Sequence, residues 1–235
     1  MSVLHPAAGN GHLDTVKFLL EQGAYLTAAD NAGKSALHYA AWRGRFDTVK
    51  FLLEQGANLT AVDNGGMSAL HLAAEDGSLD TVKFLLEQGA NLKAVDDEGR
   101  LALHLAARTG QLAVVEYLVN LSVDVNFKDN NGFTVIYFAA WNGHLDVINF
   151  LLGIGADFNI RDKDSLTELH FATANGKSDT TRFLLELGVD FSIEDDGSTP
   201  LHLTAANGHL DTVECLLKLA ENFNVVDFTA RSGQL

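Results

Sequence analysis

The string Asp14-Thr15-Val16-Lys17-Phe18-Leu19-Leu20-Glu21-Gln22-Gly23-Ala24 recurs unchanged from Asp47 to Ala57 and again from Asp80 to Ala90. The step is 33 residues each time, and a histidine keeps it at His5, His38, His71 and His104. Tyr137 fills the next slot and the histidine returns at His170. The following step, to His202, is 32 residues, which places a one-residue deletion near Glu194-Asp195-Asp196. A glycine follows six residues after each of these positions, from Gly11 and Gly44 to Gly176 and Gly208. A fixed period of this length is the signature of stacked repeats.

Every repeat reads alike. A short apolar stretch such as Ser35-Ala36-Leu37-His38-Tyr39-Ala40-Ala41 is too short to be stable as an isolated helix. The glycine after it permits a tight turn. A second segment then sets Phe46, Val49, Leu52 and Leu53 on one helical face and ends at Gly56, the residue type that favours a left-handed cap. An extended stretch from Asn58 to Val62 and a turn at Asp63-Asn64-Gly65-Gly66 complete the repeat. Helix, turn, helix and projecting hairpin cannot bury their apolar faces alone, so neighbouring repeats must stack.

Thr199-Pro200-Leu201-His202 matches the helix-start motif of ankyrin repeats, with looser forms at Ser35-Ala36-Leu37-His38, Ser68-Ala69-Leu70-His71 and Thr134-Val135-Ile136-Tyr137. Glycine followed by histidine, also typical, stands at Gly11, Gly143 and Gly208. The chain thus resembles the ankyrin-repeat family over its whole length. The resemblance implies an all-α repeat solenoid of helix-turn-helix units with short projecting β-hairpins. The register divides the chain, as a single array, into repeats at 1–29, 30–62, 63–95, 96–128, 129–161, 162–194 and 195–226, with 227–235 opening a further one. The first and last are cut within a repeat, as expected for part of a longer array or of a larger protein. Three departures mark local weak points. Leu101 replaces a capping hydroxyl, a loss of ~1 kcal/mol; Ser122 stands where the cap glycine is expected; Ser165 replaces a hairpin-tip glycine.

Composition narrows the partner. Sixteen basic against thirty-one acidic residues give a formal charge of −15. Nucleic-acid affinity comes largely from neutralised phosphates, so an acidic chain without a basic stripe argues against it. The same sign argues against anionic membrane surfaces. The uncharged run from Phe133 to Trp141 is far short of the roughly 20 residues of a membrane helix. A single cysteine, Cys215, excludes an internal disulfide and reads as a buried small apolar residue. No basic, apolar leader opens the chain. These features predict an intracellular, cytoplasmic monomer.

The nine histidines invite a metal reading. Packed helices lie roughly 8–10 Å apart, so histidines one period apart cannot share an ion that needs ligands at about 2 Å. The resemblance instead assigns His38, His71, His104, His170 and His202 to hairpin backbone and helix-start hydroxyls. Glu194-Asp195-Asp196 lacks the alternating ligands of a calcium loop. No phosphate loop or nucleophile motif is present. The reading is of no enzyme, no metal and no cofactor.

In ankyrin arrays the partner lies along the concave face, made of hairpin tips and inner helices. By register that face carries Trp42-Arg43, Glu75-Asp76, Arg108-Thr109 and Trp141-Asn142 just after the Ala-Ala cores. Lys34, Met67, Arg100 and Phe133 precede the helix starts. Tryptophan and arginine dominate interface hot spots, so these residues predict a non-catalytic scaffold that binds a protein or extended peptide. With about 10 Å per repeat, Trp42 and Trp141 are expected about 30 Å apart. The alternative is a regulatory ankyrin segment of a larger channel or enzyme. The resemblance also implies asparagine hydroxylation in the register of Asn126, Asn159 and Asn224.

Overall fold

The computed structural model describes residues 2–158, 160–162, 166–188 and 199–222, with backbone alone for 219–222. Ser165, the Glu194–Asp196 run, Asn159 and Asn224 lie outside the described residues. The residues form two compact units, Met1–Asn130 and Asn131–Leu235. The first holds four helix pairs: α1 (Leu4–Gly9) and α2 (Leu13–Glu21), α3 (Ala36–Trp42) and α4 (Phe46–Glu54), α5 (Ala69–Asp76) and α6 (Leu79–Glu87), α7 (Ala102–Arg108) and α8 (Leu112–Asn120). The second holds three: α9 (Val135–Asn142) and α10 (Leu145–Gly153), α11 (Glu168–Ala174) and α12 (Ser178–Glu186), α13 (Pro200–Ala206) and α14 (Leu210–Asn222). It is an all-helical repeat solenoid.

Within the first unit α1, α3, α5 and α7 pack side by side, and each second helix leans mainly on its own first helix. Close approach is possible because the first helices meet through alanine. Ala40, Ala41, Ala73, Ala74, Ala106 and Ala107 are fully buried. Leu37, Leu70 and Leu103 join Val49, Leu52, Val82, Leu85 and Leu118 in the core behind them. Leu53 is half-buried, whereas Phe46 sits at the rim, edge-on to Phe84 with ring centres 5.6 Å apart. Cys215 is buried, although Phe18, at the same register of the repeat, is 59% exposed.

The repeated histidine braces the helix starts, and at His5, His71 and His104 it also reaches a loop carbonyl, whereas His38 Nε2 is buried without such a bond. In α5 the Ser68 N–H donates to His71 Nδ1 at 3.2 Å and the Ser68 hydroxyl donates to the same nitrogen at 2.8 Å. An Nδ1 that accepts leaves the ring proton on Nε2, which donates to the Arg100 carbonyl at 3.1 Å. Ser35 with His38, Thr167 with His170 and Thr199 with His202 repeat the Nδ1 half of this arrangement. Leu101 has no hydroxyl, yet its N–H still donates to His104 Nδ1 at 3.1 Å, and Nε2 donates to the Phe127 carbonyl at 3.1 Å. Leu101 is also only 4% exposed. Burying such a side chain contributes roughly 1.5–3 kcal/mol, which offsets the missing cap. Tyr137 performs only the outer half: its hydroxyl donates towards the carbonyls of Leu166, at 2.6 Å, and Ile160. With no Nδ1 to receive it, the Thr134 hydroxyl is buried without a partner.

The projecting loops are tied by side chains more than by strands. Asp30 Oδ1 accepts from the N–H groups of Ala32 and Lys34 at 2.9 and 2.8 Å. Asp63 and Asp96 repeat this pattern, and Asp162 Oδ1 accepts from the Leu166 N–H. The expected hairpins therefore reduce, among the described residues, to single antiparallel bridges at Ala29–Ser35 and Val62–Ser68. Successive tips are bonded in series: Asn64 N–H to Ala32 O, Asp97 N–H to Gly65 O and Asn130 N–H to Glu98 O. Gly33 is required by this contact. At its φ of +77° a β-carbon would stand 2.5 Å from Asn64 Oδ1.

Ser122 holds the left-handed conformation, with φ +63°. A β-carbon at the equivalent Gly89 would meet no atom within 4 Å, so Ser122 is strained by its backbone alone. Ser122→Gly should raise the denaturation midpoint by up to ~1 kcal/mol; a lower midpoint would contradict the assignment. A second expectation concerns acid. Burial lowers the pKa of His38 and His71, and takes His104 down to about 4. Between pH roughly 6.5 and 4 the unfolded chain binds protons that the folded chain refuses, so this stability is complete above 6.5 and is lost as pH falls. His104 alone should account for about 3 kcal/mol over that window. Denaturant midpoints should fall from pH 7 to pH 4.5, with a shallower fall for His104→Gln; an unchanged slope would refute the clamp.

Candidate functional site

The residues placed after the Ala-Ala cores divide into those bound to their own chain and those left open. α3 ends on Trp42, which stays 40% exposed. Tyr39, one helical turn earlier, lies edge-on to it at 6.5 Å and donates its hydroxyl to Asp30 Oδ2 at 2.8 Å. That bond is the main reason the Asp30 carboxyl is held below its usual range and the Tyr39 hydroxyl above its own. Lys34 Nζ lies 5.0 Å from the Trp42 ring centre and 3.8 Å from Asp63, and the Arg43 guanidinium lies 5.8 Å from the same ring. Cations over an indole face are attracted by its quadrupole, so Trp42 is oriented without being covered.

One period on, Glu75 and Arg108 meet in an ion pair, and the Thr109 hydroxyl donates to the Glu75 carbonyl at 2.8 Å. Asp76 is exposed and accepts from the Ser78 hydroxyl. Arg100 is 12% exposed and bonds to the fully buried Asp96 side chain at 2.7 Å and to Glu98 at 2.8 Å. It is a loop brace. Met67 is half-buried, and its N–H donates to Asp63 Oδ1.

In the second unit Trp141 is 41% exposed but stacks on Phe171, with ring centres 5.0 Å apart and planes at 18°. Phe171 also touches Phe133 at 5.2 Å and Tyr137 at 5.3 Å. Asn142 donates its amide to the Phe138 carbonyl in its own helix. Tyr39, Phe138 and Phe171 occupy one register of the period, one position before the Ala-Ala or Ala-Thr core, and lie outside the register of the predicted face. Asn126 is half-buried in the loop after α8, its N–H donating to Asp124 Oδ1 at 2.9 Å. Among the described residues no group of three potential metal ligands converges, and no helix is long and apolar enough to cross a membrane.

Within each unit the geometry defines a regular helical frame whose positions after the Ala-Ala cores vary in chemistry. The profile for ankyrin repeats in three copies matches residues 1–63, 70–162 and 136–227. The chain belongs to the ankyrin-repeat family. Comparison with curated proteins gives no match. Ankyrin repeats are generally protein–protein interaction modules, and the fold is typically non-catalytic.

The two kinds of arginine should separate in stability measurements. Arg100→Gln leaves Asp96 buried without its cation and should cost ~1–3 kcal/mol. Arg43→Gln, at an exposed position bonded to a neutral amide, should leave the midpoint within ~0.5 kcal/mol. Equal losses at both sites would contradict the division.

Proposed function

We propose that the chain is a non-catalytic, monomeric interaction scaffold of the cytoplasm that seats a protein or extended peptide against the face of first helices and loop tips. The observation that carries this is Trp42. The alanines immediately before it are fully buried and repeated, yet the tryptophan keeps two-fifths of its surface in water. A large aromatic side chain held in place and left uncovered is the usual form of an interface anchor. Trp42 and Arg43 form the centre of the surface in the first unit, with Lys34, Met67 and Asp76 around it. In the second unit, taken by itself, Trp141 and Phe133 are the corresponding candidates. Arg100, Arg108, Glu75 and Asn142 act chiefly by holding that surface. The acidic balance of the chain disfavours nucleic acid as the ligand, and the buried Cys215 suits a reducing compartment.

Affinity capture with this chain supplies the partner, and titration against alanine variants supplies the test. Trp42→Ala should weaken binding by ~2 kcal/mol or more, beyond the smaller stability loss from its edge-on contact with Tyr39. Trp141→Ala should also lower the midpoint, because it removes the stack on Phe171, an effect of roughly 0.5–1.5 kcal/mol beyond lost burial. Full affinity in both variants would place the interface elsewhere.

A further inference from the structure

We infer that the corner made by Trp42, Arg43 and Arg45 docks an acidic, extended segment of a partner protein, one that presents carboxylates beside an apolar side chain. This rests on the reading of that face as the partner's seat and adds the chemistry of what it takes.

Several cations of this acidic chain meet a carboxylate of their own. Arg100 holds Asp96 and Glu98, Arg108 holds Glu75, and Lys34 faces Asp63. Arg43 and Arg45 depart from that pattern. Both are exposed. Arg43 Nη1 donates to the Asn10 amide oxygen and Arg45 Nε to the Gly9 carbonyl, each at 3.2 Å. These neutral acceptors at the end of α1 fix the two side chains without cancelling their charge. Each bond uses one of the guanidinium's five N–H groups, which leaves donors for the paired oxygens of a carboxylate. The open part of the Trp42 ring, beside Arg43, offers the apolar contact.

Three carboxylates near this corner are engaged, whereas Asp47, two residues after Arg45, is exposed. Asp30 accepts from the Tyr39 hydroxyl, Asp63 faces Lys34, and Asp76 accepts from the Ser78 hydroxyl. Asp76 is nevertheless exposed and stands at the position of Arg43 one repeat later. Its carboxylate lies beside Gly44, where a β-carbon would stand 2.6 Å from Asp76 Oδ2, so an acidic segment is held to the α1 side of the corner. The corresponding pair of positions reads Asp76 and Ser78, then Thr109 and Gln111, so within the first unit the cationic corner belongs to this repeat.

The chain has two tryptophans, so a Trp141→Phe background, which keeps an aromatic on Phe171, makes Trp42 the sole indole reporter. The probe is the tryptophan-free peptide Glu-Glu-Leu-Phe-Glu-Glu, compared with Lys-Lys-Leu-Phe-Lys-Lys and Glu-Glu-Ser-Ser-Glu-Glu. The acidic, apolar peptide should shift Trp42 emission saturably, and added salt should weaken it. R43Q/R45Q should weaken it at least about tenfold with no change in unfolding midpoint. Equal binding of the lysine peptide, no binding of the acidic one, or indifference to R43Q/R45Q would overturn the inference. A captured partner that loses affinity with Trp42→Ala but not with R43Q/R45Q would leave the scaffold reading standing and remove this one. Dimerisation of the chain abolished by R43Q/R45Q would assign the corner to a second copy and overturn it equally.

Discussion

The structure depends on an imidazole that accepts at one nitrogen and donates at the other. Nδ1 receives the N–H of the helix-start residue three positions earlier, and Nε2 reaches a loop carbonyl 23 residues ahead in His5 and His104 and 29 ahead in His71. One side chain thereby satisfies an orphan donor at a helix start and ties that helix to a loop carrying no helical bonds of its own. Helices of six to eight residues are far too short to persist alone. The clamp, together with the buried alanines that let neighbours approach, lets such short helices act as a rigid platform. Burial holds the ring neutral, which is the only state in which Nδ1 can accept.

That platform leaves some of the adjacent positions partly in water. Ala40, Ala41 and His38 are buried in α3, while Trp42 and Arg43 at its end remain partly in water. The same positions in the next two repeats are occupied by Glu75 and Arg108, which neutralise one another. On the proposed reading, recognition is concentrated rather than spread along every repeat. Division of labour between a repeated frame and a local, irregular surface is how a one-dimensional array acquires specificity without altering its fold.

Much of this was readable from spacing. The period located the helices, the clamp histidines and the strained Ser122, because each depends on local backbone geometry that recurs with the residue. Pairings between loops and helices were harder. Glu75 and Arg108 are opposite charges one period apart, a signal that register arithmetic can catch. Arg100 looked like an available cation because its partner, Asp96, is the residue that also folds the loop turn. Trp141 looked equivalent to Trp42, and the difference lies in Phe171, where a large aromatic follows in the next repeat. The hairpins are short: the N–H groups of Asp30 and Asp63 bond across to the Lys34 and Met67 carbonyls, while the aspartate side chains take the N–H groups that further pairing would have used. Tyr137 is the instructive exception. It reaches the loop carbonyl as histidine does but cannot accept, and the orphaned Thr134 hydroxyl is the consequence.

The central claim, that neutral imidazoles in a single tautomer hold the helix starts to the loops, is open to direct observation. Long-range nitrogen–proton NMR of the ring nitrogens of His71 and His104 at pH 6 should show both rings uncharged with the proton on Nε2. Rings that are protonated at that pH, or that carry the proton on Nδ1, would contradict it.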